Sequence, residues 1–224
     1  MARPIVYNWI AADAQAVCLT QTLAAAGSLT INGTLSTGAA VNITGLSSQP
    51  PAVAVFDKLS RFVSIASANN LSLVNFTVTG TYNGSTVSET IAGPNGPAVV
   101  TTQLFQTVTS VTSSAAAAAV RVGTAQTGYT QWFSFNTYAT GQPNTTIQVD
   151  VTGVITYSFE ITLDDVNTVP NASINAYTAI GAMTNATADA LASTQYSYAY
   201  GRIYVSASTG AATLKAQIIQ QGVV

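Results

Sequence analysis

Apolar residues alternate with hydroxyl-bearing ones along most of this chain. Val74, Phe76 and Val78 alternate with Asn75, Thr77 and Thr79, the period of two that a half-buried strand requires. Tyr82-Asn83-Gly84-Ser85 then turns the chain, and Thr86 to Ile91 returns as the partner strand. Gly93-Pro94-Asn95-Gly96-Pro97 is a break that neither strand nor helix passes through. Val99 to Thr102 and Val108 to Thr112 read as further strands, and Val120-Arg121-Val122 resumes the pattern after five alanines at 115–119, which read as a small-residue loop or strand edge. Earlier, Asn32-Gly33 between Leu29-Thr30-Ile31 and Thr34-Leu35 predicts a hairpin. Ser47-Ser48-Gln49-Pro50-Pro51 predicts a stiff connector, followed by apolar runs at 52–56 and 62–65.

A second β block spans about Trp132 to Leu163. Ile147, Val149 and Val151 alternate with polar residues, as do Ile155, Tyr157, Phe159, Ile161 and Leu163, and Gly153 between the runs predicts an antiparallel hairpin. Residues 167–199 are irregular, and Arg202 to Val205 with Ala212 to Ile219 predict a closing pair of strands. Residues 1–27 differ. Asp13 to Ala26 gathers good helix formers ahead of Gly27, so a short helix is one expectation and an extended arm the other. No fixed-period repeat is present, which disfavours solenoids and propellers. The expected architecture is all-β, an antiparallel β-sandwich of jelly-roll-like kind with an N-terminal arm at 1–27, a main domain at 28–166, and an irregular segment with closing strands at 167–224 packed on it.

Composition narrows the chemistry. There is no histidine, one cysteine, two Glu and six Asp. Without imidazole there is no side chain with an unperturbed pKa near neutrality to serve as general base, and without a second cysteine no redox pair or zinc cluster. Ser and Thr are abundant, but a serine nucleophile needs a base; Lys58 and Lys215 lie in no S-x-x-K pattern, and no G-x-S-x-G elbow occurs. Asp164-Asp165 with Asp57, Glu89, Asp150 and Asp189 is the one conceivable calcium set, yet adjacent strand residues point to opposite faces and no D-x-[DN]-x-[DN]-G loop is present. These carboxylates therefore read as solvated turn residues. Cys18 reads as a small buried hydrophobe. No catalytic residue, cofactor or metal is expected, and the chain reads as a non-enzyme.

Charge shapes the expected partners. Only 6% of residues are charged, against roughly 25% in an ordinary soluble domain, and the formal net charge is −2. The six Lys and Arg are scattered, which excludes a phosphate-binding stripe and makes nucleic acid an unexpected partner. No apolar run reaches a membrane span, and the N-terminus lacks the apolar core of a cleavable signal peptide, so no membrane is expected. A surface so poor in charge predicts cover by other subunits, hence a homo-oligomer. The residues expected at such interfaces are the aromatic and apolar ones of the arm and the late segment: Ile5, Tyr7, Trp9, Ile10, Trp132, Tyr196, Tyr198 and Tyr200. The same clustered aromatics keep a glycan- or receptor-binding module open as an alternative.

The run Val74-Asn75-Phe76-Thr77-Val78-Thr79-Gly80-Thr81-Tyr82-Asn83-Gly84 through Ser88-Glu89-Thr90-Ile91-Ala92-Gly93-Pro94-Asn95, then Val108-Thr109-Ser110-Val111 and Val122-Gly123-Thr124-Ala125, resembles a pattern of structural proteins of tailed bacteriophages. Ile147 to Val166 and Ala212 to Gly222 fit it too, so the resemblance covers roughly residues 17–222. It implies a virion component, on the head or on the tail, assembled in the host cytoplasm; the leading expectation is an accessory protein on the capsid surface that cements the head, with copies of itself and the major capsid protein as partners. A tail or head-to-tail component is the alternative. The resemblance supplies no catalytic residues.

Overall fold

The computed structural model describes residues 5–37, 40–42, 59–135, 144–169, 173–178, 180–196 and 198–221. Their strands in chain order are β1 (Ile5–Trp9), β2 (Cys18–Leu23), β3 (Gly27–Ser28), β4 (Ser36–Thr37), β5 (Ala40–Asn42), β6 (Leu59–Ala66), β7 (Asn75–Tyr82) and β8 (Ser85–Ala92). There follow β9 (Val99–Val100), β10 (Thr107–Ser113), β11 (Ala117–Thr130), β12 (Phe133–Ser134), β13 (Asn144–Thr162), β14 (Ala190–Thr194) and β15 (Tyr200–Gln221). A 3-10 turn, Gly181–Met183, lies in the late segment. The fold is all-β and antiparallel, of the sandwich kind the alternation predicts. The connector at 47–51 and the run at 52–56 lie outside the described residues.

The described residues gather into two compact units, one from 1–11 and 129–224, the other from 12–55 and 59–128. The sequence reading draws its boundaries at 27 and 166; the units divide at 11/12 and 128/129.

In the second unit, one sheet runs β4-β5-β10-β7-β8 with β3 also on β10, and the other strands pair as β2-β11-β6-β9. Phe76, Val78, Val108 and Val111 are fully buried on the first sheet, as are Val63, Ile65, Val120 and Val122 on the second. The β7–β8 hairpin is as the sequence predicts. Asn83 (φ 47°) and Gly84 (φ 78°) both occupy the left-handed region, the primed two-residue turn whose twist matches its strands. The expected helix at 13–26 is not there. Asp13 instead accepts the Gln15 N–H on Oδ1 in a tight turn, and Cys18–Leu23 pairs with β11. Strand pairing and burial of Ala16, Val17 and Cys18 override the helix propensity of the segment. Nor does Asn32-Gly33 turn a hairpin. Asn32 Oδ1 accepts the Leu19 N–H at 3.0 Å, and Gly33 lies against the Gln15 and Ala16 carbonyls where no Cβ fits. The turn comes later, at Thr34-Leu35, where the Ser36 N–H donates to the Gly33 carbonyl at 3.0 Å, and the glycine itself serves close approach.

In the first unit, β14-β13-β15 form a sheet with β1 and β12 added on β15. The predicted hairpin at Gly153 is a single 19-residue strand, and the predicted closing pair is a single 22-residue strand. Gly153 (φ 99°) and Gly210 (φ 93°) both lie where the β13–β15 register shifts between Thr152 and Val154, so Gly153 belongs to a bulge rather than to the expected turn. Fully buried Tyr157 and Phe159 lie opposite Val205 and Ile203 across this ribbon.

Candidate interaction surfaces

The expected arm is an ordinary strand of its own unit. Ile5–Trp9 pairs residue for residue with Ala216 to Ala212 of β15. Tyr7 and Trp9 are buried, and Trp9 Nε1–H donates to Ser208 Oγ at 3.0 Å. The reading of these two side chains as a contact for another subunit is therefore corrected: β15 supplies the partner that the sequence did not reveal. Ile10 is half-buried. Trp132 is also interior. The Arg202 guanidinium lies 4.2 Å from its ring and 3.9 Å from that of Tyr129, while Arg202 Nε donates to Glu160 at 2.8 Å. Glu160 and Arg202 are direct cross-strand neighbours, so this cluster is a buried structural ion pair held between two rings.

The surface that sequence reasoning missed lies on β10, β7 and β8. Register places Thr112–Thr77–Thr90, Ser110–Thr79–Ser88 and Thr107–Thr81–Thr86 in three rows, and Ser28 of β3 extends the first row. Every side chain in the grid carries a hydroxyl, and none carries charge. The hydroxyls pair with each other, Thr77 with Thr90 at 2.7 Å, Thr79 with Ser88 at 3.0 Å and Thr81 with Thr107 at 2.6 Å. The alternation was legible; that three alternating strands would align their hydroxyls was not, because register is set across the sheet.

β8 also ends its sheet. Among the described residues its strand partner is β7 alone. The two-residue turn makes Tyr82–Ser85 a hydrogen-bonded pair, and alternation then leaves the N–H and C=O groups of Thr86, Ser88 and Thr90 directed away from β7. The edge runs eight residues without a register shift, a proline or a lysine. Its single charge, Glu89, faces the other way and is engaged: its carboxylate accepts the N–H groups of Thr102 (2.9 Å) and Gln103 (2.7 Å) and the Thr102 hydroxyl.

In the first unit, a cleft of about 1400 Å³ opens between residues 161–164, 175, 177–178, 180–182, 192–196 and 198. Tyr177 and Tyr196 on its wall are 64% and 72% exposed, and Leu163 beside them 74%. The aromatic wall is anchored inward: Tyr196 to Tyr198, Tyr198 to Phe135, Phe135 to Phe133 and Phe133 to buried Phe159, each ring within 5.6–6.4 Å of the next. So the expected Tyr196 and Tyr198 do come together, just past the end of β14 at Thr194. Tyr200 points elsewhere, its hydroxyl 3.4 Å from Asp165.

The adjacent carboxylates diverge. Asp164 Oδ2 accepts the Asn175 backbone N–H at 2.6 Å, whereas Asp165 caps its own turn. The Asn167 backbone N–H first, then the Thr168, Asn167 and Tyr200 side chains, hold the Asp165 carboxyl below its ordinary range. Among the described residues no group of three or more metal-ligating side chains forms. Cys18 is buried, and burial raises its thiol to about 12, which makes it a poor nucleophile. Compared with protein-family models, curated proteins and solved structures, the chain matches none.

Proposed function

We propose that this chain is a non-enzymatic structural protein of a tailed-phage virion, an accessory protein of the capsid surface that holds capsomers together, with copies of itself and the major capsid protein as partners. The observation that carries this reading is the open, uncharged β8 edge beside a face of hydroxyls. Such an edge is a template for pairing with another chain, and natural proteins that stay monomeric blunt it. Here, in a chain with 14 charged residues in 224, no described strand but β7 pairs with it. The run whose pattern resembles phage structural proteins, Val74 to Asn95, spans β7, its turn and β8, the elements that build this surface. Closed symmetry would cover the edges without open-ended growth.

Quantitative mass spectrometry of purified particles tests the proposal. A copy number that scales with the capsomers supports a head protein. A copy number of a few rings places the chain on the tail, and absence from particles overturns the virion reading.

A further inference from the structure

We propose that the cleft lined by Asp164, Asn175, Tyr177 and Tyr196 is a binding site for a neutral oligosaccharide, a function beyond the structural role above and independent of it. Two tyrosine rings, Tyr177 and Tyr196, stand largely in water on its wall. A flat ring with an apolar face and a hydroxyl at its tip suits the C–H face of a pyranose and one of its hydroxyls. Polar groups converge on the same space. Asp164 spends Oδ2 on Asn175, and its remaining oxygen with the Asn175 amide gives an acceptor and a donor side by side for vicinal hydroxyls.

Charge selects the class of sugar. Among the described residues Asp164 is the only charged one of the lining, and no described Lys or Arg lines it. A phosphate, sulfate or uronate would meet a carboxylate with no cation to offset it, whereas a neutral sugar meets only donors and acceptors. The volume of about 1400 Å³ lies above that of ordinary small-ligand pockets, so several rings fit rather than one. The backbone frame is also set before any ligand arrives: Tyr177 and Ile161 exchange both backbone hydrogen bonds at 2.9 Å, and the ring series from Phe159 outward ends on Tyr198, against which Tyr196 stands. Preorganisation of this kind reduces the ordering cost of binding.

The test applies the full-length chain to an array of neutral and acidic glycans and follows the best neutral one by calorimetry. Tyr177→Ala and Tyr196→Ala should each weaken that binding by about tenfold or more. Their exposure means the melting temperature should not move, and Leu73→Ala, at a 96% exposed residue in the other unit, should bind as wild type. Soluble oligosaccharide and the same sugar on host-cell surface polysaccharide should both bind if the site reads the sugar itself. Failure of every neutral glycan to bind at about 1 mM, preference for acidic glycans, or unchanged affinity in both tyrosine variants would overturn the proposal. Copy number in particles is unaffected by any of these results, so the two readings fail separately.

Discussion

At the scale of single residues, the strongest commitments are buried polar groups. Arg202 and Glu160 neutralise each other in the interior, with the guanidinium held against Tyr129 and Trp132. Removing one partner strands the other charge, so Glu160→Gln or Arg202→Ala should cost about 3–5 kcal/mol by chemical denaturation, while replacing both with apolar residues should cost less. Wild-type-like midpoints for the single variants would refute the pair's role. Cys18 supplies a pH-dependent counterpart. Its folded pKa of about 12 lies above the ordinary 9.0, so between those values the native state binds more protons than the unfolded one. Stability is thus fully present below pH 9 and falls as pH rises toward 12. Tyr157, pushed to about 12 by burial and then by Asp189 and Asp150, adds to the fall above pH 10, whereas Arg61, lowered to about 10 by burial, opposes it there. Between pH 9 and 10 the loss belongs to Cys18, about 1 kcal/mol, and Cys18→Ala should abolish it. A wild-type stability curve that stays flat across that window would contradict this.

At the scale of elements, period and register were unequally legible. Strands with clean alternation, such as 74–79 and 155–163, stand where the sequence places them because one face is buried. Two glycines misled: Gly153 marks a bulge and Gly33 a close contact, since a left-handed or crowded backbone serves a turn, a bulge or an approach equally well. The cleft was half legible. Tyr196 and Tyr198 drew notice, but Tyr177, Asp164 and Asn175 come to them only through backbone pairing with Ile161 and a side-chain clamp. The β8 edge was not legible at all, because an edge is a property of sheet order. It carries its own prediction. Ser88→Pro removes an outward N–H that β7 does not use, and Thr90→Lys sets a charge on the edge's hydroxyl face, so both should leave melting nearly unchanged and diminish self-association in sedimentation. Undiminished oligomers in both variants would remove β8 from the interface.

At the scale of the whole molecule, scarcity of charge leaves every described carboxylate with a partner from the chain itself. Asp13 holds Gln15 and Thr34, Glu89 holds Thr102 and Gln103, Asp150 meets Gln148 and Lys215, Glu160 meets Arg202, and Asp189 accepts the Val151 N–H. Asp164 and Asp165 take the Asn175 and Asn167 N–H groups. Among the described residues these carboxylates gather into no group of three that could hold a cation, and a chelator should leave the melting temperature unchanged; a drop that calcium reverses would disprove this. The N-terminal strand gives the last prediction. An apolar arm without a local partner in sequence suggested a tether to a neighbour, whose deletion would spare folding. The pairing of Ile5–Trp9 with β15 reverses that expectation. Trp9 and Tyr7 are among the largest fully buried side chains, and loss of a buried Trp alone costs about 3–5 kcal/mol, a large part of a domain's stability. Deleting residues 1–11 also exposes the β15 edge from Ala212 to Ala216. Trp9→Ala should therefore lower the denaturation midpoint strongly, and the deletion should abolish cooperative unfolding of the unit that contains β13 and β15. If the truncated chain melted like the full one, β1 would be dispensable to the fold and free to serve a neighbour after all.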